Sequence, residues 1–261
     1  MPQKLIIILS LLCFVGNINA QKMAFELSTS SFLDDAVKIT QADIPNLNGT
    51  GLTGSSNTGR ELSAKLDFTF DNKYSFFIES GYGRSSLTLV MASSRAFYEA
   101  KADEDITTTF STISTRYFLI KTGGSMSWKL GETSKLRVSL GVGSIIPKSN
   151  QEYFGEGTSD ISQYPTVFYQ YYQGVYMVND PVDYYLFINP EVELIQDVSF
   201  MNWDIVVGFN SMIVHKDYLQ GQVVFYGDDE NLVSTFSDKL KTIGLKIGVR
   251  YDFKTWTRVV E

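Results

Sequence analysis

The stretch LKTIGLKIGVRYDF, Leu240 to Phe253, decides how the chain is read. Ile243, Leu245, Ile247, Val249, Tyr251 and Phe253 fall on every second position. Between them lie Thr242, Gly244, Lys246, Gly248, Arg250 and Asp252, all small or charged. A period of two belongs to a β-strand whose two faces meet different surroundings. The apolar face closes on two aromatics, and its bulk suits contact with lipid. The opposite face, carrying Lys246, Arg250 and Asp252, then points into the interior of a barrel.

The same alternation recurs upstream in seven segments: Lys22 to Phe32, Arg60 to Phe70, Tyr74 to Arg84, Thr108 to Leu130, Lys135 to Ile146, Tyr184 to Val198 and Trp203 to Val214. Tight polar turns join some of them, at Asp71-Asn72-Lys73, at Gly131 to Ser134 and at Ser199 to Asn202. Asp, Asn and Gly accept the dihedrals that such turns need. Long loops join the others, over Asp34 to Gly59, Leu87 to Thr107, Pro147 to Asp183 and His215 to Asp238. Within the long fourth segment, Gly123-Gly124 reads as a bulge or bend. The expectation is an all-β fold, an antiparallel eight-stranded up-and-down transmembrane β-barrel with short periplasmic turns and long extracellular loops. In lipid every backbone N–H and C=O must be paired, so a spanning sheet has to close on itself. An even strand number puts both ends of the barrel on the short-turn side. Glycines at 81, 83, 141, 143, 208, 244 and 248 all fall on inward faces, as a narrow eight-stranded cylinder requires. A ten-stranded barrel stays open as an alternative. So does a secreted lipocalin-like barrel with its faces inverted, because periodicity alone does not say which face is inside.

Residues 1–20 read as a signal peptide: Lys4, an apolar run from Leu5 to Val15 broken only by Ser10, then Asn19-Ala20. Residues 21–253 are expected to form the outer-membrane β-barrel, and 254–261 a short C-terminal tail. The sole cysteine, Cys13, lies in the signal run, and Leu12 before it is too large for a lipoprotein site. The expected mature chain therefore has no thiol chemistry. A net charge of −7 and a pI near 4.9 argue against a nucleic-acid partner. Fifteen Tyr and 18 Phe suit interfacial girdles.

Carried by this strand-and-loop pattern and by Gly244 to Phe253, the chain resembles the small outer-membrane barrel family of Gram-negative bacteria, of the OmpA/OmpX type. Its Tyr- and Asn-rich style looks like the barrels of Bacteroidota. The resemblance implies an outer-membrane location after export and contact with outer-membrane lipid. It also implies recognition of Tyr251 and Phe253 as an assembly signal by the barrel-assembly machinery.

Two constellations could carry function. Inward charges at Glu61, Lys65, Asp67, Glu79, Arg116, Arg137, Glu191, Glu193, Asp204, Lys246, Arg250 and Asp252 would form either an ion-paired plug or the lining of a small gated pore. Tyrosines 164, 169, 171, 172 and 176 would form a surface contact for an unknown extracellular partner, or part of the interfacial belt. His215 is the only histidine, which excludes a His-cluster metal site. Some members of the family modify lipid A with a His and a Ser at the outer rim. Ser211 and Asp217 are near His215 in sequence, but no His-x-Ser pair is present. Gly49 to Gly54 has dinucleotide-turn spacing without a strand–turn–helix context and reads as a flexible loop. The expected protein is a non-enzymatic barrel with no cofactor or metal and a structural or surface-contact role. A pore or transport barrel is the alternative, with a lipid-modifying enzyme behind it.

Overall fold

A computed structural model describes residues 22–34, 38–41, 51–56, 58–70, 73–94, 106–148, 151–158, 170–178, 184–198, 202–217, 219–225 and 232–253. Among these, β1 (Lys22–Asp34), β4 (Thr58–Thr69), β5 (Tyr74–Ser94), β6 (Ile106–Lys129), β7 (Ser134–Pro147), β10 (Tyr185–Val198), β11 (Trp203–Val214) and β14 (Lys241–Asp252) are barrel strands. They pair antiparallel in the order β5-β4-β1-β14-β11-β10-β7-β6, and a further β5–β6 pairing closes the ring. The barrel is thus closed with eight strands. Phe253 N–H donates to Met23 C=O at 2.9 Å, so both ends of the barrel lie on the short-turn rim.

Directly paired residues can be followed round the wall from Tyr74 through Met126, Val138, Val192, Phe209, Leu245, Ser31 and Arg60. The path returns to β5 at Arg84, ten residues from its start. That stagger requires strands tilted by about 40°. Ten residues at about 3.3 Å each, so tilted, span roughly 25 Å of height.

The exterior over this height is predominantly apolar, interrupted by residues such as Thr29 and Ser80. Leu62, Leu66, Phe118, Ile120, Val138, Leu140, Val142, Leu186, Ile188, Val192, Phe209, Leu245 and Ile247 are all exposed. In water such a continuous band would be an aggregation surface; its height equals the apolar belt of a membrane barrel. Aromatics mark both edges. Tyr74, Trp128, Trp203, Tyr251 and Phe253 gather at the short-turn rim, where Trp203 and Tyr251 rings are 5.1 Å apart and Tyr251 meets Phe253 edge-on at 5.3 Å. Tyr82 and Phe118, with centroids 5.0 Å apart, lie toward the other rim.

Above the belt the pattern inverts without any break in the pleat. On β5, the outward residues Tyr74, Phe76, Ile78 and Tyr82 give way to Arg84, Ser86 and Thr88, while Leu87 and Leu89 turn inward and are buried. The register with β6 runs uninterrupted from Tyr74↔Met126 to Ser94↔Ile106. A second, five-stranded sheet stands at this level in the order β2-β13-β12-β9-β8, made of β2 (Lys38–Gln41), β8 (Gln151–Thr158), β9 (Gln170–Val178), β12 (Leu219–Phe225) and β13 (Leu232–Asp238). The short β3 (Gly51–Ser56) adds to the upper edge of β5. Phe32, Leu87, Leu89, Tyr117, Ile145, Tyr185, Phe187, Met212 and Val214 from the barrel pack with Val223, Phe225, Leu232 and Phe236 of the second sheet in one buried core. Leu240, fully buried with φ 51°, turns the chain from β13 into β14, its N–H donating to Asp238 Oδ1 at 2.9 Å.

Several expectations are corrected here. All four intervals read as loops contain strand: β2 and β3 in the first, the ends of β5 and β6 in the second, β8 and β9 in the third, β12 and β13 in the fourth. Outside lipid the exposed face of a strand is polar, so these segments lack the bulky outward stripe that marks the spanning ones. Gly51 to Gly54, read as flexible loop, is strand paired to Leu89–Ala92. Gly123-Gly124 forms no bulge, because pairing is continuous with β5 and β7 on both sides. A Cβ on Gly123 would strike Leu140 C=O and the Phe77 ring, so the residue is small to admit Phe77 rather than to bend the strand. Residues 1–20 and 254–261 lie outside the described residues.

Gly83 has a similar role, since its missing Cβ leaves the space filled by the Tyr117 ring. Gly83→Val should destabilise the barrel by about 1–3 kcal/mol through overpacking. In a double-mutant cycle followed by urea unfolding, that loss should shrink by at least half in a Tyr117→Ala background.

Candidate functional site

The lumen between the two rims is filled by charge. Alternation brings one face of every barrel strand inward, and each strand supplies a charged group: Glu26 from β1, Lys65 and Asp67 from β4, Glu79 from β5, Lys121 from β6, Arg137 from β7, Glu191 and Glu193 from β10, Asp204 from β11, Lys246 and Arg250 from β14. All are buried. Arg137 is at the centre. Its Nε donates to Glu193 Oε2 at 2.5 Å and its Nη1 to Asp67 Oδ2 at 2.8 Å, and its Nη2 pairs with Glu26. Lys246 Nζ lies 2.8 Å from both Glu26 Oε1 and Glu193 Oε1, and 3.5 Å from Glu191. Lys65 Nζ donates to Glu191 Oε2 at 3.1 Å, lies 3.6 Å from Glu193 and 3.8 Å from Glu79, and stands 4.7 Å from the centre of the Phe77 ring.

Toward the long-loop rim, Lys121 Nζ meets Glu191 Oε1 at 2.5 Å, Glu79 Oε1 at 3.2 Å and the Asn189 side-chain oxygen. Toward the short-turn rim, Arg250 pairs with Asp67 at 2.6 Å, with Asp252 at 3.0 Å and with Asp204 at 4.0 Å. Glu61 is buried one step beyond Ser63, nearer the long-loop rim, and makes no ion pair within 4.0 Å among the described residues. Ser28 and Ser63, their hydroxyls 3.0 Å apart, lie between Glu61 and the central network, and the apolar core stands beyond Glu61, below the second sheet.

Of the charges read as inward from sequence, Arg116 is corrected: it is exposed on the outer wall. With pairing unbroken along β6, it shares the outward face of Phe118 and Ile120. Two central members were missed. Lys121 lies on that same strand, and its true parity follows once the register is unbroken. Glu26 alternates with Phe25 and Leu27, and that alternation was the signal that could have found it.

Tyr164 and Tyr169 lie outside the described residues; Tyr171, Tyr172 and Tyr176 lie on β9. His215 is exposed at the top of β11, its Nδ1 3.0 Å from Leu186 C=O. The Ser211 hydroxyl instead donates to Thr242 C=O at 2.7 Å. Beside the second sheet, a polar groove of about 420 Å³ is lined by Lys38, Thr40, Gln220, Gln222 and Thr235 among others.

No protein-family model matches the chain, and no curated protein does. Solved structures do. The chain is similar to the outer membrane protein Ail of Yersinia pestis, at 11% identity and a TM-score of 0.35 over 89% of this chain and 99% of that one. It is similar to the outer membrane protein AlkL at 10% identity and a TM-score of 0.43, over 94% and 95% of the two chains. The outer membrane protease OmpT of Escherichia coli matches at 9% identity and 0.39, over 91% and 98%.

Removing one partner from a buried ionic network leaves charges unpaired, at a cost of about 3–5 kcal/mol. Arg137→Met would leave Glu26 and Glu193 to Lys246 and Asp67 to Arg250, with the buried network one positive charge short, so it should lower unfolding stability in urea by that amount. Replacing Lys38 in the polar groove with Met should leave stability within about 0.5 kcal/mol.

Proposed function

We propose that this protein is an integral outer-membrane β-barrel with a closed lumen, serving a structural or surface-contact role through the sheet and loops above its long-loop rim. The observation that carries this reading is the double filling of the bore. A ring of ion pairs drawn from all eight strands occupies the membrane level, and an apolar core with the five-stranded sheet stands over it. A conducting pore needs a continuous wet path with weak, successive binding sites. Here the cations are each held by two or more carboxylates.

In this reading the short-turn rim is periplasmic and the long-loop rim extracellular. The N-terminal twenty residues act as an export signal, and kinship with the OmpA/OmpX type in a Bacteroidota-like envelope fits the style of the sequence. Tyr251 and Phe253, with the paired β1–β14 seam beside them, are the elements for the barrel-assembly machinery to read. A non-enzymatic role is supported by the separate engagements of His215 and Ser211, whose polar atoms meet different backbone carbonyls.

Reconstituted into planar bilayers, the protein should be electrically silent, whereas discrete single-channel steps would overturn the closed-lumen reading. His215→Ala should leave the acylation pattern of outer-leaflet lipid in intact cells unchanged; an altered pattern would restore the enzymatic alternative.

A further inference from the structure

Four cations line up on the outer wall at the upper edge of the apolar belt. Arg60 on β4 pairs directly with Arg84 on β5, and Arg84 pairs directly with Arg116 on β6. Lys148, just past the end of β7, follows in the same row, its N–H donating to Arg116 C=O at 2.9 Å. All four side chains are exposed. The row immediately below them, Leu62, Tyr82, Phe118 and Ile146, is equally well paired and entirely apolar.

Neighbouring strands are about 4.8 Å apart, so this row sets like charges side by side across three strand pairs. Like charges directly opposite one another in a sheet are destabilising. The protein carries a net charge of −7, yet none of the four cations has an ion-pair partner among the described residues. Arg84 Nε donates to the neutral Ser114 hydroxyl at 2.5 Å, and the outward residues flanking the row are Thr58, Ser86 and Ser114. The lumen of the same barrel compensates each of its cations with carboxylates; among the described residues the outer row compensates none. The row sits where the outward face changes from apolar to polar, which is the depth of the lipid headgroups. Arginine and lysine there can lay their stems on the apolar wall and lift their charges to the interface, and the guanidinium fork matches phosphate.

We propose that Arg60, Arg84, Arg116 and Lys148 form a binding site for the phosphate groups of an anionic lipid in the outer leaflet, which supplies the counter-charge that no described residue provides. The proposal rests on the outer-membrane reading above. It adds an annular lipid site on one side of the barrel, over β4 to β7; among the described residues no such row of directly paired cations lies over β10, β11 and β14.

The test uses the refolded full barrel in phosphatidylcholine nanodiscs. Diphosphoryl lipid A, its dephosphorylated form and inorganic phosphate are the probes, and native mass spectrometry counts what is retained. Wild type should retain diphosphoryl lipid A over the dephosphorylated form. The variant R60Q/R84Q/R116Q/K148Q should lose affinity roughly six-hundredfold, from about a fivefold loss for each of its four cations, and its all-lysine counterpart R60K/R84K/R116K should keep most of it. Equal retention of both lipids by wild type, or undiminished binding by a glutamine variant that folds normally by circular dichroism, would overturn the site. Binding of inorganic phosphate with no preference between the lipids would reduce the row to an adventitious ion site and also overturn it. Wild type that fails to enter nanodiscs at all would instead overturn the membrane reading on which the site rests.

Discussion

One constraint organises this molecule: a sheet that faces lipid can have no free edge. Every unpaired N–H or C=O in hydrocarbon costs several kcal/mol, so the pairing of β5 with β6 that turns eight strands into a ring is the condition for the others to exist. Closure with a stagger of ten residues fixes the tilt, and the tilt fixes the bore. A bore of that size admits side chains and little else. The interior residues are therefore chosen for how they fill it: glycine where Tyr117 and Phe77 need room, and charge where opposite strands can meet across the axis.

The charged interior follows from the same geometry. Hydrophobic driving force is weak inside a ring whose outer face is already in lipid, so specificity must come from elsewhere. Arg137 touches carboxylates from β1, β4 and β10, and Lys246 touches two of the same strands from β14. Buried ion pairs are poor sources of net stability but costly to break singly. Distributed over all eight strands, they favour one register over its slipped alternatives, because a slip by one residue would turn each charge out to lipid. The row of exterior cations, without carboxylate partners among the described residues, is the counterpart at the upper edge of the apolar belt.

How much of this was legible in the sequence depended on contrast between faces. In the lipid-spanning portions, one bulky apolar face opposes one small or charged face, and strand positions and facing could be read for Tyr74 to Arg84, Tyr184 to Val198 and Leu240 to Phe253 almost residue by residue. Above the belt the exterior meets water, the apolar residues turn inward, and segments such as Leu87 to Ser94 or Leu219 to Phe225 look like polar loops with scattered apolar residues. The interior charges were legible wherever parity was secure. Arg116 was misplaced and Lys121 missed because the outward face of β6 mixes Phe118 and Ile120 with Arg116, Thr122 and Gly124, so the contrast that fixes facing elsewhere is weak there. How the charges pair could not be read, since pairing across the bore depends on the stagger of the closed ring and not on any local pattern.

Depth along a single strand tests the central claim most directly. Thr58 and Leu66 are both exposed on the outer face of β4, one above the arginine row and one within the apolar belt. Cys13 is the only cysteine in the sequence, so single cysteines at these positions can be compared in a Cys13→Ser background. With a membrane-impermeant maleimide on intact outer membranes, Thr58→Cys should label rapidly, and Leu66→Cys should stay unlabelled until the membrane is dissolved in denaturant. Equal labelling of the two in intact membranes would mean that the apolar wall is not in lipid, and the account of the barrel as a membrane-spanning one would be wrong.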